Sequence, residues 1–440
     1  MAGVSRPGAE PEERIAGAGI TRRQAFFAVA LLFGANFLNY IDRYVIAAVG
    51  PLLQKDFNLD DTQLGFIGSM FVLAYMVASP FTGVLGDRWP RRYLVAGGVL
   101  LWSLATILSG LAGTYHHLLL SRSLIGIGEA GFGVVAPTLI SDLFSREARG
   151  RMLAFFYVAI PVGSALGFLL GGYVGAHHGW RAAFFLAGAP GIVLGLLALR
   201  MREPGRGAGD GVSAGQEHKF EWKAARALLG NRSFVYTTLG LAAMTFALGG
   251  MAYWMPTFFS RERGLPLDTA NAYFGGITVA AGLVGTFLGG WLGDWLHRRT
   301  DKAYLLVSGV GMLLGVPAAY VGLTATDPAV YLPALFVTEV MVFLNTGPAN
   351  AVLVSVVLPE IRATAIAFSI FAFHLLGDVP SPILIGQVSD FTGSLEKALL
   401  LSTAAMAVSG GLYLLGARSL GRDLALVRKT VHAREAAARP

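Results

Sequence analysis

The sequence predicts an all-α membrane protein: twelve transmembrane helices arranged as two pseudo-symmetric six-helix bundles. Three observations lead there. Of the 440 residues, 54% are hydrophobic and 14% charged, whereas soluble domains carry about 25% charged residues. Twelve apolar runs each reach the roughly 20 residues needed to cross about 30 Å of hydrocarbon. Two loop motifs of the first half also return at equivalent places in the second, which is the mark of a duplicated unit.

Residues 1–23 form the expected cytoplasmic N-terminal tail. They carry Glu10, Glu12 and Glu13 and lack the basic stretch, short apolar core and small-residue site of a cleaved signal, so the first span is expected to insert the chain and remain. The N-terminal bundle occupies 24–200, with spans at 24–50, 63–86, 93–113, 117–143, 151–176 and 181–200. Residues 201–232, rich in Gly and charge, read as a cytoplasmic linker. The C-terminal bundle occupies 233–417, with spans at 233–259, 270–295, 303–323, 328–357, 362–389 and 397–417, followed by a cytoplasmic tail at 418–440. At about 22 residues per span, what remains is short loops, and a soluble catalytic domain has no room.

Orientation follows from lysine and arginine. With the N-terminus inside, the inner segments hold 27 of the 34 basic residues and the outer loops hold five: Lys55, Arg181, Arg261, Arg263 and Lys397. Arg43 and Arg122 lie within spans. Such an excess places both termini in the cytoplasm and accounts for the net charge of +7 without a nucleic-acid partner, which would need basic residues and exposed aromatics on a soluble face. The chain has no cysteine, which removes disulfides, thiolate metal sites and cysteine nucleophiles.

Gly83-Val84-Leu85-Gly86-Asp87 followed by Arg91-Arg92 recurs 207 residues later as Gly290-Trp291-Leu292-Gly293-Asp294 followed by Arg298-Arg299. Glu147-x-Arg149 with Ala154-Phe155 recurs 213 residues later as Glu360-x-Arg362 with Ala367-Phe368. Two matches at nearly one offset imply six-helix repeats related by an axis along the membrane normal.

Gly83-x-x-x-Asp87-Arg88-x-Pro90-Arg91-Arg92, with Pro90 where Gly is usual, resembles the signature between spans two and three of the major facilitator superfamily of secondary transporters. The resemblance runs along the whole chain. Asn39-Tyr40-Ile41-Asp42-Arg43 in span one is similar to the Spinster family. So is Arg122-x-x-x-Gly126-Ile127-Gly128-Glu129-Ala130 in span four, running on to Pro137 and Asp142-Leu143-Phe144. The resemblance implies a bacterial homologue in the inner membrane, working by alternating access. It implies proton-coupled export of an amphiphilic anionic lipid such as a lysolipid or a sphingosine phosphate. The alternative partner is a small organic anion or drug moved by a symporter or antiporter of the same superfamily. A proton gradient is the expected energy source, no cofactor or metal is expected, and the monomer is the expected working unit.

Four charges inside spans carry the chemistry. Glu129 lies about eleven residues into span four and so near the bilayer midplane, where a bare carboxylate is costly and must face a polar cavity, find a cation or hold its proton. Arg122 lies two turns earlier on the same face, with Gly126 between them leaving open space, so both are expected to point into one cavity. Asp42 and Arg43 are neighbours and diverge by about 100°. One is expected to face the central cavity and the other a contact between helices. Proton binding at Asp42 or Glu129 would then free Arg43 or Arg122 for an anion. The other reading makes Asp42 with Arg122, or Arg43 with Glu129, a fixed structural pair.

Gly83, Asp87, Arg88, Arg91, Arg92, Arg149, Asp294 and Arg362 form an expected conformational latch, with the aspartates pairing with arginines such as Arg149 or Arg362 in the outward-facing state; a topology-fixing basic loop with ordinary helix caps is the alternative. Gly163, Gly167 and Gly171 allow span five to pack closely on a neighbour. In the second half Glu339, His374 and Asp378 lie in apolar spans, and His374 and Asp378, four apart, share a face on which they either relay a proton or satisfy each other. Tyr253, Trp254 and Met255 either line a cavity for an acyl chain or pack between helices. Gly126-x-Gly128-x-x-Gly131 matches a dinucleotide fingerprint but no strand precedes it, and no Walker loop is present. An enzyme is therefore not expected.

Overall fold

The computed structural model describes residues 20–206, 228–358 and 361–437. Most of the N-terminal tail and of the central linker, together with Glu360 of the second loop motif, lie outside the described residues. The first half contains α1 (Arg22–Ala48), α2 (Gly50–Phe57), α3 (Asp61–Arg88), α4 (Arg91–Gly110), α5 (Tyr115–Gly133), α6 (Ala136–Leu143), α7 (Arg146–His178) and α8 (Trp180–Ala198). The second contains α9 (Arg232–Arg261), α10 (Leu267–His297), α11 (Ala303–Thr324), α12 (Pro328–Phe343), α13 (Thr346–Ser355), α14 (Arg362–Phe373), a π-helical turn (His374–Asp378), α15 (Pro380–Thr392) and α16 (Leu395–Ala437). Among the described residues, twelve segments are long and apolar enough to cross a membrane.

Helix starts are capped by local chemistry. Thr21 and Gln24 cap each other at the head of α1, and Asp60 and Gln63 do the same for α3. Two expected spans are broken. Span four divides at Val134 and Val135, where Pro137 sits in the first turn of α6. Span ten divides at Leu344 and Asn345, shortly before Pro348. Proline cannot donate to the preceding turn, so each break sits where the helix loses that bond. The two breaks occupy matching places in the two halves.

Glycines set the closest helix contacts. A Cβ on Gly163 would come 2.7 Å from Phe37 O, one on Gly167 2.7 Å from Ile41 O, and one on Gly171 2.7 Å from Ala48 Cβ. The stripe therefore packs α7 against α1. The last helix runs past the expected end of its span at 417 to Ala437. Its Asp423, 5% exposed, accepts from the amide of Ser233 at 2.9 Å and so holds the start of α9.

One buried core joins the halves: Val45, Leu64 and Phe168 pack in the same cluster as Trp254, Phe274 and Ile385. It lies at the end of the bundle opposite the termini. At the end that carries the termini each half keeps its own core, around Leu143 and Met201 in the first and Val356 and Leu424 in the second. The halves are thus sealed at one end and separate at the other.

Candidate functional site

The seal closes on main-chain contacts as well as apolar ones. Across the halves the Tyr253 hydroxyl donates to Leu64 O at 2.5 Å and Asn271 Nδ2 to Ala48 O at 3.0 Å, while Trp254 Nε1 donates to Pro382 O at 2.9 Å within the second half. Tyr253, Trp254 and Met255 are buried in this closed end. The reading that places them on an acyl cavity is corrected: all three side chains are buried in the closed end, with the Tyr253 hydroxyl bonded across the halves and the Trp254 indole bonded within the second.

All four intramembrane charges of the first half converge. Arg43 Nη2 lies 2.7 Å from Glu129 Oε2, with 27% of the arginine side chain exposed and none of the glutamate. Arg122 Nη1 lies 4.0 Å from Asp42 Oδ1, both side chains 1% exposed. The Thr106 hydroxyl of α4 donates to Asp42 Oδ2. Of the two neighbours on α1, Asp42 therefore makes the contact between helices, and Arg43 keeps an open side. Both pairings that the sequence offers are present, each joining α1 to α5.

The expectation that Arg122 and Glu129 share an open cavity is corrected. Each is 1% exposed. Gly126, expected to leave space between them, is filled by α3, since a Cβ there would come 2.5 Å from Phe71 O and 2.9 Å from Tyr75 N. That close approach brings in residues the sequence reading missed. The Phe71 ring has the Arg43 guanidinium 5.0 Å from its centroid and the Arg122 guanidinium at 4.9 Å. Arg43 also stacks on Tyr40 at 4.9 Å and on Tyr75 at 5.6 Å. One ring holds two like charges by its negative face. Phe71, Tyr75 and Thr106 are neutral residues in apolar runs; the i, i+4 spacing of Phe71 and Tyr75 is the one trace they leave in the sequence.

The cluster is electrostatically incomplete. Arg122 Nε and Nη1, Asp42 Oδ1 and Glu129 Oε1 are buried without a hydrogen-bond partner among the described residues. Buried ion pairs balance their desolvation only when the remaining donors and acceptors are met. A site with spare donors and acceptors, one arginine partly open and aromatic walls can exchange one pairing for another.

In the second half His374 Nδ1 and Asp378 Oδ2 lie 2.6 Å apart across the π-helical turn, with side chains 28% and 23% exposed. Glu339 is buried, and neither of its carboxylate oxygens has a hydrogen-bond partner among the described residues. The latch residues belong to the separated end. Arg91 binds Asp142 at 2.6 Å and Glu203 at 2.9 Å within the first half. Asp294 accepts from the Tyr304 hydroxyl at 2.9 Å, Arg149 donates to Ser141 O and Arg362 to Val354 O. Asp87 is exposed, without an ion pair among the described residues. Gly83 faces Val134 at the break in span four.

Comparison with known proteins follows the same lines. The family model described as Major Facilitator Superfamily matches residues 32–382. Protein spinster homolog 3 of Danio rerio is 39% identical over 388 residues, covering 84% of this chain and 78% of its own. Protein spinster homolog 1 of Homo sapiens is 38% identical over 404 residues, covering 87% and 76%. A crystal structure of a bacterial homolog to the human lysosomal transporter Spinster, inward-facing and unoccupied, superposes with a TM-score of 0.83 at 23% identity, over 92% of this chain and 99% of its own. That of a D-xylose-proton symporter superposes at 0.67 with 17% identity, over 90% and 97%.

Proposed function

We propose a function from one premise: the chain belongs to the major facilitator superfamily and, within it, to the Spinster family. It is a membrane-embedded transporter of the Spinster type, with the fold of transporters rather than enzymes. We infer that it carries out proton-coupled transport of an amphiphilic anion, a lysolipid or a sphingosine phosphate, from an inner membrane with both termini in the cytoplasm. In that orientation the sealed end is outermost and the present conformation is inward-facing.

One observation carries this reading: Arg43 is the partly exposed member of a closed ion pair with Glu129. A proton on Glu129 cancels the charge that holds the guanidinium. Arg43 then keeps its aromatic partners and turns its charge to an anionic head group. Loss of the proton returns Arg43 to Glu129 and expels the anion. Asp42 and Arg122 form a second pair of the same kind, looser and linked to the first through the Phe71 ring. Removing one partner of a buried pair leaves an uncompensated charge worth about 3–5 kcal/mol, so proton and anion refill the site in turn. Because the exchange is reversible, direction follows the sum of the proton and substrate gradients; export dominates when the amphiphile accumulates inside. The aromatic wall of Tyr40, Phe71 and Tyr75 supports an amphiphile over a sugar-like anion, which would need several hydroxyl and amide donors.

The test is flux of a labelled lysolipid or sphingosine phosphate in proteoliposomes, with and without a pH gradient. Gradient-dependent flux that vanishes in Glu129→Gln supports the proposal. Lipid flux that ignores the gradient, or gradient-driven movement of a small organic acid with no lipid flux, overturns it.

A further inference from the structure

The end that carries the termini holds a second site, remote from the charge cluster. A cavity of about 680 Å³ opens where α3 ends and α4 begins, against the chain leaving α8; Arg88, Trp89, Arg92, Arg202, Glu203 and Arg206 line it. Its architecture is fixed by Arg91, 4% exposed, which engages two of the three nearby acids and leaves Asp87 unpaired among the described residues: Nη1 binds Asp142, Nε binds Glu203, and Nη2 donates to Pro204 O. Arg206 Nη2 donates to Gly86 O and Trp89 O, each at 2.9 Å, tying the segment after α8 to the last turn of α3. With Asp142 and Glu203 spent on Arg91, no acidic side chain pairs with Arg88, Arg92 or Arg202 among the described residues. Arg92 makes one side-chain bond, to the Tyr93 hydroxyl at 2.9 Å, over whose ring it also stacks. The cavity is therefore a built cradle with an excess of guanidinium donors.

Guanidinium groups in excess match a phosphate, whose oxygens accept several charged hydrogen bonds at once. The surroundings identify the source of that phosphate. Trp89 is 57% and Tyr93 49% exposed, and aromatic rings of this kind mark the level of the headgroups. We propose that this cavity binds the phosphodiester headgroup of an anionic phospholipid from the leaflet on the side of the termini, held by Arg88, Arg92 and Arg202. The bound lipid ties the α3–α4 turn to the segment that follows α8. Arg88 and Arg92 thereby serve a lipid, in place of a latch between the halves.

The experiment is native mass spectrometry of the full-length protein released from detergent, scoring retention of phosphatidylglycerol against phosphatidylcholine. The wild type is expected to retain phosphatidylglycerol preferentially. Arg88→Gln/Arg92→Gln/Arg202→Gln is expected to lose that preference by an order of magnitude or so, because each basic residue near the headgroups attracts anionic lipid separately. Arg298→Gln/Arg299→Gln/Lys302→Gln removes as many charges from the equivalent turn of the second half and is expected to keep it. Undiminished retention in the first variant overturns the site. Equal loss in the second shows diffuse surface charge and overturns it as well. Displacement of the lipid by millimolar inorganic phosphate shows a soluble anion site and overturns the lipid assignment. If the triple variant fails to fold, Arg202→Gln alone reads the same preference, and an unchanged preference there counts against the cradle.

Discussion

Arg261 of α9 grips Asp61 of α3 across the boundary between the halves, Nη1 to Oδ1 and Nη2 to Oδ2, each at 2.8 Å. Gln54 Nε2 adds a bond to Asp61 Oδ1 at 2.6 Å, and Ser389 donates to Oδ2. Beside it Asp390 of the second half accepts from the amides of Asp61 and Thr62 at 3.0 and 2.8 Å. A carboxylate of one half thus caps the first turn of a helix of the other, where the helix dipole favours it. These bonds exist while the end opposite the termini is closed and are lost when it opens.

Weakening that grip shifts the conformational equilibrium. The arginine side chain is 38% exposed, which reduces the worth of its bonds to about 1–2 kcal/mol together. Arg261→Gln is expected to enrich the state open at that end by roughly five- to thirtyfold. With no native cysteine, spin labels at introduced cysteines replacing Lys55 and Lys397, both exposed and in opposite halves, report the separation. An unchanged distance distribution in the variant refutes a gating role for the pair.

Phe71 is expected to matter through its ring more than its volume. Phe71→Leu removes two cation–π contacts, each worth about 0.5–1 kcal/mol or more, and lets the Arg43 and Arg122 charges repel unshielded. Transport should fall roughly tenfold, with Phe71→Tyr close to the wild type. Initial flux rates in proteoliposomes read this, with the thermal midpoint as a folding control. A leucine variant that transports normally removes the ring from the mechanism.

Glu339 has the opposite profile, a polar group that the fold does not repay. A buried group without a partner costs about 1–3 kcal/mol, so Glu339→Met, which is apolar and of similar length, is expected to raise the thermal midpoint by a few degrees. Calorimetry or a fluorescence melt in detergent decides it. A lower midpoint would show that the carboxylate has an ordered partner, such as water, and belongs to a satisfied network. A higher midpoint joined to lost gradient dependence would place Glu339 in coupling.

Much of this arrangement is legible in the sequence, and the limits of legibility have physical causes. Hydropathy marks the spans because hydrocarbon demands unbroken apolar length, and it runs through the breaks at Val134 and Leu344 because apolar residues on both sides hide a missing backbone bond. Asp42, Arg43, Arg122 and Glu129 stand out because charge is rare within membranes. Their pairing depends on the rotation of α1 against α5, which spacing within either helix does not specify. Gly126 is ambiguous for the same reason: a missing Cβ signals either open space or a close neighbour, and the neighbour, α3, is remote in sequence. Tyr253 and Trp254 look like cavity aromatics until the second half closes on the first.

The two meanings of a missing Cβ can be separated by adding one. A methyl on Gly97 of α4 meets nothing within 4 Å, so Gly97→Ala gains helix propensity, up to about 1 kcal/mol, and the melt should move slightly upward. At Gly126 the same methyl meets Phe71 O and Tyr75 N, backbone atoms that cannot turn aside. Overpacking of that kind costs about 1–3 kcal/mol, so Gly126→Ala should lower the midpoint. The consequence reaches further than stability, because relief requires α3 to move and α3 carries Phe71 and Tyr75, the rings on which Arg43 rests. Gly126→Ala is therefore expected to lose gradient-dependent transport even under conditions where it stays folded. Normal flux in a folded Gly126→Ala protein would show that the position of α3 does not govern the charge cluster.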